Sequence, residues 1–415
     1  MNFRLIRNCY LLIFLLFVAM CININCRSIR HIINRDVESL LDSSDHNVSV
    51  TDVKDYELIK SLDLQGRIIN DLNGIQYCVN LEKLNLESNN IVDISLLRFT
   101  PNLQELNISS NPITDLSPLA SLKELKSLSI GMGSIEFIHS NIKSLEPLSS
   151  LTNLEELRIG SSDVVDLTPL AGLTNLRKLQ IYYCKPENIL PIANLHNLED
   201  LQLCDLGHLN LIPIAKLSNL KRLTCVQIEL KDILFVTKLT NLEFLSLVDC
   251  SINDIDPIRN LINLSDLNMR NNEISHIDAL SRLINIKFLN LSNNNIVDIK
   301  PLTSLCNLQH VSLMNNNIQD ISSLFNSNWK NSKVSFLLNS NLITDVPRLE
   351  DLNCTGLDML ELSLFDNPLS NAAIYYEIPA LVAKGVIIGF WPPDDYDPSK
   401  IKLPDETIEE KSESD

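Results

Sequence analysis

The chain has 415 residues, with 34 lysines and arginines against 52 aspartates and glutamates, giving a formal net charge of −18. Nonspecific binding to nucleic acid or anionic lipid needs clustered cations, and this balance opposes both. Ten glycines and 5% aromatic residues also offer little for phosphate-cradling loops or base-stacking platforms, while 45% apolar residues suffice for a packed core.

Residues 1–26 read as a targeting segment. Arg4 and Arg7 precede an apolar run of 16 residues from Cys9 to Ile24, with small residues near Ala19 and Cys21. That is the pattern of a secretory signal peptide. The run is shorter than the ~20 residues of a comfortable spanning helix. The competing reading is an uncleaved signal anchor, because Arg27, Arg30 and Arg35 follow it. Residues 27–58 form a polar, acidic leader in which Val37, Leu40 and Leu41 suit a short amphipathic cap.

From residue 59 to 368 one pattern recurs at 22-residue steps, in about 14 units. The unit at Ile286 fixes Leu289, Leu291, Asn294, Ile296, Asp298, Ile299, Pro301, Leu302, Leu305 and Asn307. The unit at Leu81 repeats the offsets with Leu84, Leu86, Asn89, Ile91, Asp93 and Ile94. Alternation in Leu289–Asn290–Leu291 predicts a short strand with both leucines inward. Successive strands then stack in parallel over a shared apolar interior, since one unit cannot bury its own leucines. The column Asn89, Asn111, Asn272, Asn294, Asn316, Asn341 and Asn367 is expected to turn inward and satisfy buried backbone groups. In six consecutive units it gives way to Gly133, Ser162, Cys184, Leu206, Ile228 and Cys250, which predicts less uniform turns there. Ser117-Pro118, Thr168-Pro169 and Asp256-Pro257 place a capping side chain before proline. A unit this short has room only for 3₁₀ turns opposite the strands.

The Leu125 unit carries seven extra residues near Ile135–Lys143, and the stretch from Asn326 to Lys333 makes a second interruption. Residues 369–391 read as a C-terminal cap: a helix around Ala372–Val382 kinked or split by Pro379, ended by Gly385, then a strand over Val386–Phe390. Residues 392–415 form an acidic tail expected to be disordered.

This pattern resembles the internalin and SDS22-like branch of the leucine-rich-repeat superfamily, most clearly in Asp298–Asn307 and Asp166–Asn175. The resemblance implies an α/β fold: a right-handed horseshoe solenoid with a concave parallel β-sheet and short 3₁₀ or helical turns on the convex side. It also implies a recognition scaffold without catalytic residues.

The residues by themselves offer little for chemistry. The ten cysteines form no C-x-x-C pair, and most fall at apolar or turn columns, as buried thiols acting as small apolar groups would. The seven histidines sit at unrelated offsets. The aspartate column Asp71, Asp93, Asp115, Asp166, Asp232, Asp254, Asp298, Asp320 and Asp345 is better read as holding turns than as holding calcium. Gly131-Met132-Gly133 is too short for a phosphate loop. No metal site, cofactor or catalytic set is predicted. Sequons occur at Asn47, Asn107, Asn263, Asn290 and Asn353, and chance accounts for most of them in so asparagine-rich a chain.

Function is therefore expected on the outward strand positions. Phe244 and Phe288 stand out, because an exposed phenyl ring gains nothing from folding. With Tyr182, Val226 and Val248 they suggest an apolar patch, rimmed by Lys178, Arg222 and Arg270 and continued by Arg158 and Asp266. The sequence thus predicts a non-catalytic scaffold, secreted or at the cell surface, that binds a protein ligand and no nucleic acid. It meets a membrane only if the N-terminal segment is an uncleaved anchor. The alternative is a cytoplasmic phosphatase-type regulatory subunit resembling SDS22, whose alternating acidic and aromatic residues Asp200, Phe244, Asp266 and Phe288 loosely match.

Overall fold

The computed structural model describes residues 27–28, 56–131, 142–160, 163–325, 333–352, 360–393 and 396–401. The N-terminal targeting segment, nearly all of the leader, the bulk of both interruptions and most of the acidic tail lie outside the described residues, as do sequons Asn47 and Asn353. The chain forms two compact units, Met1–Val164 and Val165–Asp415.

In the first unit the strands Ser61–Asp63, Lys83–Asn85, Glu105–Asn107, Ser127–Ile130 and Glu156–Gly160 pair in parallel, each with the next. In the second, ten such strands run from Lys178–Tyr182 to Ile387–Gly389, again each beside its successor. Register is set by the leucines: Leu223 faces Leu201 on one side and Leu245 on the other. These side chains are fully buried, as are Leu289 and Leu291 at 2% and 0% exposure. Burying a leucine stabilises by roughly 1.5–3 kcal/mol, while fixing each backbone residue costs about 1–2 kcal/mol. A lone repeat with one face open to water cannot meet that cost. The unclosed parallel sheet backed by short turns is a leucine-rich-repeat solenoid.

Opposite the strands lie five-residue 3₁₀ turns, among them Ser95–Phe99, Ser117–Ser121, Thr168–Gly172 and Lys300–Ser304. The capping expectation needs correction. Leu116 and Leu167, not Ser117 and Thr168, occupy the capping positions, and neither turn has a capping side chain from that residue. The aspartate column holds these turns instead. Asp93, Asp115, Asp166 and Asp298 each accept the N–H two residues ahead, at 2.7–2.8 Å. The donors on Ser95 and Thr168 hold the carboxyls of Asp93 and Asp166 below their ordinary range.

The inward asparagines behave as the columns predict. Asn294 accepts the Ile274 N–H at 3.0 Å and donates to the carbonyls of Met269 and Leu291 at 3.0 and 2.9 Å. Asn89, Asn111, Asn316 and Asn341 make the same three contacts in their own repeats. Where the column is broken, the strand lengthens. Lys178–Tyr182, Asp200–Cys204, Arg222–Val226 and Phe244–Val248 each run five residues, against three for Glu105–Asn107 or Phe288–Asn290. The cause is local. In the short strands Asn107 and Asn290 accept the N–H two residues on, an Asx turn that pulls the backbone out of the ladder. Gln180, Gln202, Thr224 and Ser246 stand at that position in the long strands and no asparagine turns inward four residues later, so pairing continues through Tyr182↔Cys204 and Val226↔Val248. His310–Ser312 has serine there but keeps Asn316 and stops at three residues. The Cys184 and Cys250 thiols donate to the Tyr182 and Val248 carbonyls at 3.3 Å, partly replacing the missing amides.

A second asparagine ladder lies at the strand entrances, in the column that Asn307 marks in the repeat. Asn102 in the first unit, and Asn197, Asn219, Asn241, Asn263, Asn285 and Asn307 in the second, each donate to a carbonyl 23 residues earlier, at 2.8–3.0 Å. Sequon Asn263 is thus a structural rung. Gly131 also has a packing role. Its φ is +82°, and a Cβ there would lie 1.7 Å from the Gly160 carbonyl oxygen. At the far end Pro379 occupies the first turn of α-helix Ile378–Ala383, where its missing N–H is harmless, and a π-helical turn Ala373–Glu377 precedes it.

Asn294→Ala strands one N–H and two carbonyls inside the second unit. It is expected to lower stability by about 1–3 kcal/mol, measured by denaturant unfolding.

Candidate functional site

Parallel pairing turns residues 22 apart in sequence into neighbours on one face. On the solvent face of the second unit, register places Lys178, Asp200, Arg222, Phe244, Asp266, Phe288, His310 and Ser335 in one continuous row, one per strand. Strands lie about 4.8 Å apart, which brings successive side chains of the row within reach of one another. The Arg222 guanidinium carbon sits 4.1 Å from the centroid of the Phe244 ring, and its Nε lies 3.9 Å from Asp200 Oδ2. The Phe288 and His310 rings stack, with centroids 5.5 Å apart and planes 12° from parallel. Asp266 accepts the Ser265 hydroxyl. Phe244, Asp266, Phe288, His310, Ser335 and Leu337 line a cleft of about 420 Å³.

A second row exists only because four strands are long. It holds Tyr182, Cys204, Val226 and Val248. Beside it the Tyr182 hydroxyl donates to Gln202 Oε1 at 2.7 Å, and Gln202 Nε2 donates to Asp200 Oδ1 at 3.2 Å.

The sequence-predicted residues therefore divide. Arg222, Phe244, Asp266 and Phe288 adjoin one another in the first row, with Lys178 at its start. Tyr182 and Val226 share the second row. Arg270 is exposed just past the strand Asp266–Asn268. Two corrections follow. Val248 is only 5% exposed, because a short side chain beside Val226 in register is shielded by its neighbours, and it adds nothing to an open patch. Phe244 does not stand open either, since Arg222 lies over its ring rather than at a rim. Arg158 belongs to the first unit, on the strand Glu156–Gly160, where it pairs in register with Ser129. His310, Ser335 and Leu337 joined the site without being predicted. His310 was legible in the same column as Phe288, whereas the irregular spacing after Asn326 hid the other two.

The described cysteines, Cys78, Cys184, Cys204, Cys225, Cys250 and Cys306, are free. Burial pushes the Cys78 thiol up to about 12 and those of Cys204 and Cys250 to about 11. Burial, with Cys250 and Cys204 nearby, raises Cys225 well above its ordinary value. Among the described residues no group of three or more His, Cys, Asp or Glu is placed to hold a metal ion, and no helix is long and apolar enough to cross a membrane.

Comparison with known proteins agrees with this geometry. The family described as "Leucine Rich repeats (2 copies)" matches residues 101–139 and 284–326. The solved structure of an internalin of Listeria monocytogenes, InlF, is 32% identical, with 75% of this chain and 90% of that one covered and a TM-score of 0.66. The chain belongs to the internalin-like leucine-rich-repeat family. A leucine-rich-repeat protein of Leptospira interrogans shares the fold at 21% identity, with 81% of this chain and 97% of that one covered and a TM-score of 0.61. So does the leucine-rich-repeat ectodomain of the Arabidopsis thaliana receptor kinase GASSHO1/SCHENGEN3, solved in complex with Casparian Strip Integrity Factor 2. It is 20% identical, with 81% of this chain and 42% of that one covered and a TM-score of 0.63. No curated protein sequence matches significantly. An internalin-like solenoid of this kind is a protein-interaction scaffold.

The thiolate is the reactive form of cysteine, so raised thiols stay inert. At about pH 8, iodoacetamide is expected to modify Cys78, Cys225 and Cys250 only after unfolding, read by peptide mass spectrometry. A folded-state value above the unfolded one gives stability that is intact below the unfolded value. It is lost as pH rises toward the folded one. The thermal midpoint should therefore fall between pH 9.0 and about 12.

Proposed function

We propose that this internalin-like chain is a non-catalytic scaffold, secreted or displayed at a cell surface, that holds a protein ligand on the solvent face of its second unit. The observation that carries this reading is Phe288, 43% exposed in the middle of a strand row and flanked by Asp266 and His310. A phenyl ring left in water contributes nothing to folding, whereas aromatic and arginine side chains anchor protein interfaces. Lys178, Tyr182, Arg222, Val226, Phe244 and Arg270 extend the surface around it.

The likeness to an internalin and to a receptor ectodomain solved with its ligand favours an extracellular place over the SDS22-like, cytoplasmic alternative. The signal-like composition of residues 1–26 agrees. Free thiols are no obstacle to export when they are buried and protonated, as at Cys78, Cys225 and Cys250.

Replacing both rings, Phe244→Ala with Phe288→Ala, is expected to abolish capture of protein partners from extracellular extracts. The thermal midpoint should shift little, because Phe288 is exposed and Phe244 half-buried. Capture that persists in the double variant refutes this face as the binding surface.

A further inference from the structure

The first solvent-face row contains one three-part arrangement that the chain completes by itself. Asp200 and Phe244 stand on either side of Arg222, whose guanidinium lies against the carboxylate on one flank and over the phenyl ring on the other. Asp266, two strands further on, stands in register between Phe244 and Phe288. Arg222 covers the Phe244 ring from the Asp200 side and His310 covers the Phe288 ring from the Ser335 side. Each ring is thus covered by its neighbour on the side away from Asp266, which stands between them in register. Among the described residues no Lys, Arg or His lies within ion-pair distance of that carboxylate, and its hydrogen-bond donor is the adjacent Ser265 hydroxyl. Asp266 and both phenylalanines line the 420 Å³ cleft.

We infer that this cleft is a receptor for a basic side chain, arginine or lysine, presented by the protein partner, with Asp266 as its counter-ion and Phe244 and Phe288 as its walls. This rests on the reading that the solvent face binds protein, and it adds the chemistry of what enters. A carboxylate supplies the charge. The ring faces, negative in their quadrupole, reward a cation and exclude water from the pair. A neutral apolar anchor would desolvate Asp266 without a partner, and an acidic one would meet like charge. The chain's net charge of −18 draws cationic segments from a distance, but it does so diffusely and cannot select one cleft.

The test uses the full chain and a fluorescein-labelled octapeptide of alternating glycine and arginine. Its control is the same peptide with citrulline, which keeps the shape and loses the charge. Binding is followed by fluorescence anisotropy at about 0.15 M salt, where distant charges are screened. The arginine peptide should bind at least about tenfold more tightly than the citrulline peptide, a difference of about 1.4 kcal/mol. Asp266→Asn and Phe288→Leu should each remove most of that preference. Glu156→Gln, an equal charge change on the first unit, should leave it intact. Thermal midpoints confirm that each variant is folded. The inference is overturned by absent binding, by equal binding of the two peptides, or by equal losses in Asp266→Asn and Glu156→Gln, the mark of diffuse attraction. Any of these results leaves the scaffold reading standing so long as the double phenylalanine variant still loses its protein partners. Capture that survives that variant removes the scaffold reading itself.

Discussion

The structure depends on leucines that no repeat can bury alone. Each strand turns one or two of them inward, and the opposite wall of their environment belongs to the next coil. Register such as Leu201–Leu223–Leu245 is therefore an energetic requirement rather than a convenience. A slip by one residue would carry every leucine to the solvent face. Because the interior is continuous, the polar groups that cross it must be satisfied in place. The asparagine and aspartate columns are the chain's repeated answer: amides that bridge three backbone groups inside, and carboxylates that hold the 3₁₀ turns outside.

The chain ends its strands in two ways, and this difference shapes the solvent face of the second unit. With an Asx residue at the third strand position and asparagine four residues later, the backbone leaves the ladder early. With glutamine, threonine or serine there and no inward asparagine four residues later, it stays for two more residues, whereas His310–Ser312, which keeps Asn316, stops at three. The four long strands of the second unit consequently present a second row on the solvent face, containing Tyr182 and Val226. They widen the surface where the aromatic and charged residues lie.

On that surface the physics is of neighbours rather than of single residues. Phe244 is inert as an open hydrophobic group because Arg222 already lies over it, and Arg222 is held in turn by Asp200. Phe288 retains its exposure, with one face stacked on His310. A cation, a ring and a carboxylate at successive strand positions constrain each other at the spacing of the sheet.

The sequence alone determined the repeat, its period, the inward leucines and the satisfied asparagine column, because each of these reports a local demand renewed every 22 residues. It also placed Phe244, Asp266 and Phe288 in one outward column, since alternation along a strand is a property of the backbone. Tertiary structure decided what those side chains meet. That Val248 is shielded, that Arg222 covers Phe244, and that Ser335 and Leu337 close the cleft all depend on contacts between strands. Those contacts follow from register and strand length. A 22-residue period in sequence specifies that two side chains share a row, but only packing at the strand spacing fixes which atoms they turn toward each other.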